Sequence, residues 1–302
     1  MQRSLCLLIA LSFSVTTLHA HGDNSHFPKT QDVTVKTSKV SGNVYMLQGR
    51  GGNVGALVGM EGILIVDDDY RQVSQKLSDA LKELGSAMPK YVLNTHWHGD
   101  HTEGNEFFGK NATIVAHTNV RKRMSAAHTS TVFNSTTPAS PAIAWPVITY
   151  TDSLSIFFNG EEVRAIHFPH GHTDGDTVVF FTKANVVHLG DDFFVGRFPF
   201  VDLESGGSVQ GLINNIGSLI DQIPADAKLI PGHGAVSTHA DLKAYHQMLV
   251  ETSKIVQDGM KAGKTLDALK KAGLPEKFKE AGSGFIKADQ WIETIYNSYS
   301  KK

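Results

Sequence analysis

Cysteine is almost missing from this chain: one residue, Cys6, in 302. A disulfide framework within the chain is therefore excluded, and so is a zinc site built from several thiolates. An excess of one charge is missing too. Lys and Arg number 28 against 30 Asp and Glu, a net charge of −2. That balance gives no electrostatic footing for a nucleic-acid or anionic-membrane partner. No apolar run approaches the roughly 20 residues a helix needs to cross about 30 Å of hydrocarbon. Proline is sparse at 10 residues, and 41% hydrophobic with 19% charged residues is ordinary globular composition. Disordered, collagenous and coiled-coil chains look different. Against these absences stands one excess, 15 His.

The position of Cys6 matters. Residues 1–20, MQRSLCLLIALSFSVTTLHA, place Arg3 before an apolar run from Leu5 to Val15 and a polar stretch ending at Ala20. This is the three-part layout of a secretory signal peptide. Cys6 lies inside the run and not at its end, where a lipid anchor would need it. The expectation is a periplasmic or secreted protein with no membrane anchor once the leader is removed. Losing Arg3, Cys6 and His19 takes the net charge from −2 to −3 and the 15 His to 14, and leaves no thiol. Residues 21–32, with His21 and His26, read as a polar, mobile segment.

From Val33 the sequence reads as one domain reaching residue 302. VSGNVYMLQ, VGALVG and GILIVDD are short apolar runs divided by glycine-rich turns, the pattern of a hairpin meander. Val73, Leu77, Leu81 and Leu84 recur near the 3.6-residue period and predict a helix. The strand YVLNT runs into a histidine-rich loop, and ATIVA precedes a weaker helix in AHTNVRKRMSAAH. Residues 128–146, rich in Ser, Thr, Pro and Ala, read as one long loop. SLSIFF and EEVRAIHF flank Asn159-Gly160, a strong hairpin signal. DTVVFFT, NVVHLG, a helix at about 208–222 and the strand AKLI follow. The last third is helical, with Leu242, Tyr245 and Leu249 on one face and Ile292, Ile295, Tyr296 and Tyr299 on another. Strands then helix, given twice with the helices outermost, predict a layered α/β sandwich.

The chemistry concentrates in NTHWHGDHTEGN, which brings His96, His98, Asp100 and His101 within six residues directly after a strand. In extended chain, residues two apart share a side, so His96 and His98 converge on one point. Gly99 lets the chain turn and present Asp100 and His101. Three imidazoles and a carboxylate this close are costly unless a cation compensates them. The mixture suits Zn, Fe, Mn or Co, with zinc the commonest catalytic choice. Three later loops, each after an apparent strand, add His172 in HFPHGHTDGD, Asp191 in NVVHLGDDFF and His233 in LIPGHG. Strand ends of this kind meet along one sheet edge, the usual place for α/β sites. No G-x-S-x-G elbow, Walker loop or dinucleotide fingerprint competes. Of the remaining histidines, His167 and His170 flank the third loop's ligand and His188 alternates away from Asp191. His117, His128, His239 and His246 are expected at the surface. Thr173 is a candidate hydroxyl for orienting a ligand.

These residues resemble the metallo-β-lactamase superfamily. The resemblance runs from about Val33 to Val250, with five motif segments in the family's order. It implies a four-layered αβ/βα sandwich with two metals at one edge of the sheets. Carried over position by position, it implies that His96, His98 and His172 hold the first metal and Asp100, His101 and His233 the second. Asp191, directly after Gly190, would bridge the two in preference to Asp192. Two Zn2+ per chain are expected, with Fe or Mn as alternatives, and the GRGGNVG turn resembles the mobile flap over the family's substrate site. Two ions a few ångströms apart would lower the pKa of a bridging water from about 15.7 towards about 7, making hydroxide available. Asp100 is the expected catalytic residue, orienting that hydroxide and relaying its proton. The expected reaction is hydrolysis of an amide, ester, lactone or thioester bond in a small molecule.

The family's branches differ at the ligands. Asp191 stands where one β-lactamase branch has Cys, and the branch with HxHxDH but no bridging Asp fits only in part. Glyoxalase II-like and lactonase-like members have the full set, although a glutathione thioester suits an exported protein poorly. Hydrolysis of β-lactams is one alternative. From another class, an iron-dependent redox enzyme or a non-catalytic metal-binding relay on the same scaffold is a second. Arg197, Phe198 and Phe200 in GRFPFVD and Trp145 in the long loop are the candidate substrate contacts. Core packing is the competing role for the two Phe, and loop anchoring for Trp145.

Overall fold

The apolar runs pair into two sheets. β1 (Lys36–Ser41), β2 (Val44–Gln48), β3 (Val54–Gly59) and β4 (Gly62–Val66) form the antiparallel meander, to which β5 (Tyr91–Asn94) and β6 (Thr113–His117) add in parallel. A small hairpin, β7 (His128–Ser130) with β8 (Ser135–Thr137), interrupts the stretch expected as one long loop. β9 (Ile148–Tyr150) then completes the seven-stranded sheet beside β6. The second sheet contains β10 (Ser153–Phe158), β11 (Glu161–His167), β12 (Thr177–Phe181), β13 (Val186–His188) and β14 (Lys228–Ile230). Its pairs are antiparallel except β13 with β14. Between β10 and β11, Asn159 and Gly160 take φ of 55° and 73°, the left-handed pair that a two-residue hairpin turn requires. The computed structural model of the chain describes residues 33–132 and 134–300. The expected leader, 1–20, and the segment 21–32 lie outside them. Among the described residues no helix is long and apolar enough to cross a membrane.

Alternation along the strands decides the layers. Leu47, Ala56, Ile63 and Ile65 on one face of the first sheet meet Leu77 and Leu81 of α1 (Ser74–Glu83), the periodic helix. Leu57, Leu64, Val66 and Leu93 on its other face meet Val163, Val179, Phe181 and Ile230 of the second sheet. Short α2 (Gly99–Thr102) and α3 (Asn105–Phe108) follow β5, and α4 (Thr118–Met124) follows β6. The outer face of the second sheet, with Val178, Phe180, Val187 and Leu229, is covered by the C-terminal helices. These are α5 (Val209–Gln222), α6 (His239–Lys261), α7 (Leu266–Ala272) and α8 (Ala288–Ser300). Ser208 caps α5 by accepting from the Gly211 N–H at 2.9 Å, and Thr238 with Asp241 closes a capping box on α6. The order helix, sheet, sheet, helix is that of an αβ/βα sandwich.

One expected substrate contact belongs to this core. Phe198 is 2% exposed and stacks on the buried Trp291 of α8, with centroids 5.9 Å apart and planes 18° apart. Trp291 is fixed in turn by Nε1 donating to Thr252 Oγ1 at 3.0 Å. Phe198→Ala is therefore expected to cost about 3–5 kcal/mol of unfolding free energy. Denaturant titration reads that loss, and elemental analysis should show an unchanged metal content.

Two histidines expected at the surface are buried instead, His117 at 5% and His239 at 8% exposure. His239 Nε2 pairs with Ile220 O at 2.9 Å and His246 Nε2 with Ile213 O at 3.1 Å, tying α6 to α5. A carbonyl partner removes most of the cost of burying a neutral imidazole. His117, at the end of β6, lies flat on His167, at the end of β11, with centroids 3.8 Å apart and planes 10° apart. His117 Nε2 donates to Thr151 O and its Nδ1 accepts from Asn119 N, while His167 Nδ1 donates to Asp176 O. Burial, then the partner ring, lowers the pKa of His117, and burial lowers that of His167. A folded pKa below the unfolded one means the unfolded chain binds more protons. Stability should therefore fall as pH drops below about 6.5. Thermal unfolding at pH 5 and pH 7 checks this, and His167→Gln should shrink the difference. An unchanged difference would show that the stacked pair does not contribute.

Candidate metal centre

The chain delivers its chemistry at the ends of strands. His96 to His101 leave β5 and enter α2, His172 lies between β11 and β12, Asp191 follows β13, and His233 follows β14. Two groups of ligand-type atoms result, His96 with His98, His172 and Asp191, and Asp100 with His101 and His233. Within each group the atoms lie within 4.8 Å of one another. All seven residues assigned from the sequence are thus brought together.

Asp191 stands between the groups. Its Oδ2 lies 3.9 Å from His96 Nε2 and 3.6 Å from His172 Nε2. Its Oδ1 lies 3.1 Å from His101 Nε2 and 3.5 Å from His233 Nε2. Asp100 Oδ2 faces the second group, 3.5 Å from His101 Nε2 and 3.2 Å from His233 Nε2. His98 turns Nδ1 inward, 2.8 Å from His172 Nε2. Asp192 turns away and accepts the backbone N–H of His172 at 3.3 Å. Gly190 makes this possible. It takes φ of 52°, and a Cβ there would lie 2.8 Å from the Thr95 side chain.

Burial and charge prepare these groups to bind a cation. Burial, then the neighbouring imidazoles, pushes His96 well below its ordinary range, and His172 to about 4. Both rings therefore offer lone pairs at neutral pH. Burial alone would raise the Asp191 carboxyl, but the charges of His101 and His233 outweigh it and hold the group well below the usual range. Asp100 is held at about 2, again against burial, by His101 and His233. The same carboxylates raise His101 and bring His233 to about 9 although burial opposes it. The Nε2 atom of His96 is buried without a hydrogen-bond partner. Unpaired buried nitrogens are rare, and this one aims into a space lined by carboxylates. The donor set fits a metal ion.

Several positioning groups lie outside the sequence reading. Asp202 Oδ2 pairs with His98 Nε2 at 3.0 Å, Phe200 O accepts from His172 Nδ1 at 2.7 Å, and Asp67 Oδ2 pairs with His101 Nδ1 at 2.8 Å. Such partners decide which nitrogen faces the metal. The visible signal for Asp67 is the acidic run Asp67–Asp69 straight after the strand GILIV.

The expected substrate contacts separate. Phe200 is half-buried, its ring 5.7 Å from that of His98 and 5.8 Å from that of His172. Arg197 is exposed and lies along Gly284. Trp145 anchors its loop. Its Nε1 donates to Ser140 O at 2.8 Å, and it packs with Trp97 against Val120 and Met124. Thr173 gives its hydroxyl to Asp176 and not to a ligand. His188 has both ring nitrogens occupied, Nε2 at Asn53 O and Nδ1 accepting from Gly190 N. The glycine-rich turn, expected as a flap, is hydrogen-bonded to the residues around the site. Arg50 N and Gly51 N donate to the Asp69 carboxylate, and Gly52 N to Asp100 O. A Cβ on Gly52 would lie 2.1 Å from the His101 ring, so only glycine lets the turn sit this close.

Two sheets backed by helices, with His and Asp gathered at their common edge, define a metal-binding αβ/βα protein. Residues 39–234 match the metallo-β-lactamase superfamily, and the chain belongs to it. No match was found among the curated proteins. Of the solved structures it resembles, the stereoselective inverting sec-alkylsulfatase Pisa1 from Pseudomonas sp. aligns with 88% of this chain, at TM-score 0.67 and 13% identity. The chain covers 50% of that enzyme's length. A metallo-β-lactamase from Pontibacter korlensis aligns with 72% of this chain and 99% of its own, at TM-score 0.59 and 15% identity. DIM-1 metallo-β-lactamase aligns with 74% of this chain and 100% of its own, at TM-score 0.57 and 19% identity. At such identities the likeness is one of fold.

Proposed function

We propose that this protein is a hydrolase holding two divalent ions, zinc foremost, and that it cleaves an amide, ester, lactone or thioester bond in a small substrate. The observation that carries the reading is the division of Asp191, with one oxygen towards His96 and His172 and the other towards His101 and His233. His98 would complete the first ligand set and Asp100 the second, each a mixture of imidazole and carboxylate of the kind zinc takes. Held by these residues, divalent ions would supply Lewis-acid polarisation of a carbonyl and a water made nucleophilic near neutral pH. The chain's own residues do the rest. Asp100 has a side chain 21% exposed against 6% for Asp191, so it is the carboxylate able to meet substrate and accept a proton. Asp191, enclosed by imidazoles, holds the geometry. The half-buried ring of Phe200 supplies an apolar wall beside His98 and His172.

The alkylsulfatase aligns with 88% of this chain and DIM-1 with 74%, which favours adding sulfate esters to the substrate classes for trial. The signal-peptide pattern expected over residues 1–20 is in keeping with export, to a compartment in which β-lactams are also met. The decisive trial is a hydrolysis screen of the zinc-loaded protein on β-lactams, lactones, thioesters, carboxylic esters and sulfate esters. Turnover of any class, abolished by chelation, supports the reading. A single iron per chain on elemental analysis, with no turnover, overturns it in favour of redox chemistry.

A further inference from the structure

His188, the last residue of β13, is fully buried, and the partners of its ring are backbone groups whose roles are fixed. The Gly190 N–H can only donate, so the Nδ1 it meets at 3.2 Å carries no hydrogen. Asn53 O can only accept, so the Nε2 that stands 3.1 Å from it does carry one. The ring is therefore the neutral Nε2–H tautomer, and burial, which lowers its pKa, keeps it neutral.

These bonds close a circuit. Asn53 N donates to Gly232 O at 2.7 Å, and Gly232 N donates to Gly190 O at 2.7 Å. Backbone thus supplies half of the circuit Asn53–Gly232–Gly190–His188, and one imidazole supplies the rest. It joins the glycine-rich turn of the first sheet to the segments that carry Asp191 and His233. Asn53 Nδ2 also donates to Pro231 O at 2.8 Å and to Gly234 O at 3.0 Å, gripping the His233 loop on both sides. A Cβ on Gly232 would lie 1.9 Å from Asp191 Oδ1, so a shift of that segment is felt at the carboxylate directly. The same turn holds Asp100, whose carbonyl accepts the Gly52 N–H at 3.0 Å. No bond of the circuit reaches His96, His98 or His172.

We propose that His188 is a positioning residue for the second ligand group, holding the Asp191 turn and the His233 loop in register with the glycine-rich turn. The inference rests on the two-ion reading. The circuit can be opened at either end of the imidazole. His188→Asn sets an amide oxygen near the place of Nδ1, keeping the Gly190 bond and losing the one to Asn53. His188→Gln sets an amide nitrogen near the place of Nε2 and does the reverse. His188→Phe keeps a buried ring and loses both.

The test is competition for zinc between the full-length protein and a chromophoric chelator. The unaltered protein is expected to show two binding steps. His188→Phe should weaken the weaker step by roughly 10-fold, the lower end of the cost of losing an outer partner of a metal site, and spare the other. The Asn and Gln variants should weaken the same step, since each opens the circuit. Nitrogen-15 spectra of the metal-free protein give a readout independent of ions. The His188 ring should be the Nε2–H tautomer at neutral pH. The Gly190 amide should exchange slowly with solvent in the unaltered protein and in His188→Asn, and faster in the Gln and Phe variants. Both steps unchanged or equally weakened in His188→Phe would overturn the inference, as would native binding in the Asn or Gln variant, which would show that one bond suffices. A ring found charged or as the Nδ1–H tautomer would overturn it too. A single step in the unaltered protein would overturn the two-ion reading, and the tautomer and Gly190 exchange then decide the His188 circuit alone. Should His188→Phe fail to fold, the Asn and Gln variants still carry the test.

Discussion

Replacing Asp191 with Ala is expected to lower the zinc content from about two ions per chain to about one and to cut kcat/KM by at least about a hundredfold. The magnitude follows from comparison. A partner behind a ligand is worth about 10- to 100-fold in affinity or activity, and a carboxylate shared between two ions is worth more. The second site should empty first. Its His233 and Asp100 are 25% and 21% exposed, whereas His96 and His172 of the first site are each 1% exposed and keep His98 beside them. Asp191→Asn, which retains one acceptor oxygen but no charge, should fall between Ala and the native residue. Elemental analysis with initial-rate measurements checks both effects. Unchanged metal content and activity would show that Asp191 does not bridge.

Stripping the metal with a chelator is expected to lower the thermal midpoint by roughly 10 °C, and reloading zinc should restore it. An ion present at a thousand times its Kd stabilises the folded state by about 4 kcal/mol, and about 2–4 °C accompanies each kcal/mol in a domain of this size. The physical cause lies in the cluster. Without a cation, Asp191 and Asp100 are compensated chiefly by His101 and His233, whose protonation burial opposes. Differential scanning fluorimetry reads the shift. A midpoint indifferent to chelation would mean that no ion is bound at this centre.

The candidate ligands are legible in the sequence because their pattern is local. His96, His98, Asp100 and His101 fall within six residues after a strand, and His172, Asp191 and His233 each lie in a loop after one. The sandwich is legible for a similar reason, since alternation and helical period mark nearly every strand and helix that lines the core. The small β7–β8 hairpin has no such mark, because its strands HTS and STT bury no apolar face. Positioning residues are hidden in another way. Asp202 holds His98 across 104 residues of chain, and no spacing rule announces such a pair. Phe198 and Phe200 share one short motif yet part company, one against Trp291 and the other beside the imidazoles. What separates them is α8, nearly 90 residues further along, and no local reading of GRFPFVD contains it.

The central claim is that one carboxylate, Asp191, lies between two ions. Anomalous diffraction from crystals of the zinc-loaded protein tests it most directly. Two peaks are predicted, one against Oδ2 among His96, His98 and His172, the other against Oδ1 among Asp100, His101 and His233. A single peak at full zinc loading, or two peaks with Asp191 touching only one of them, would contradict the account.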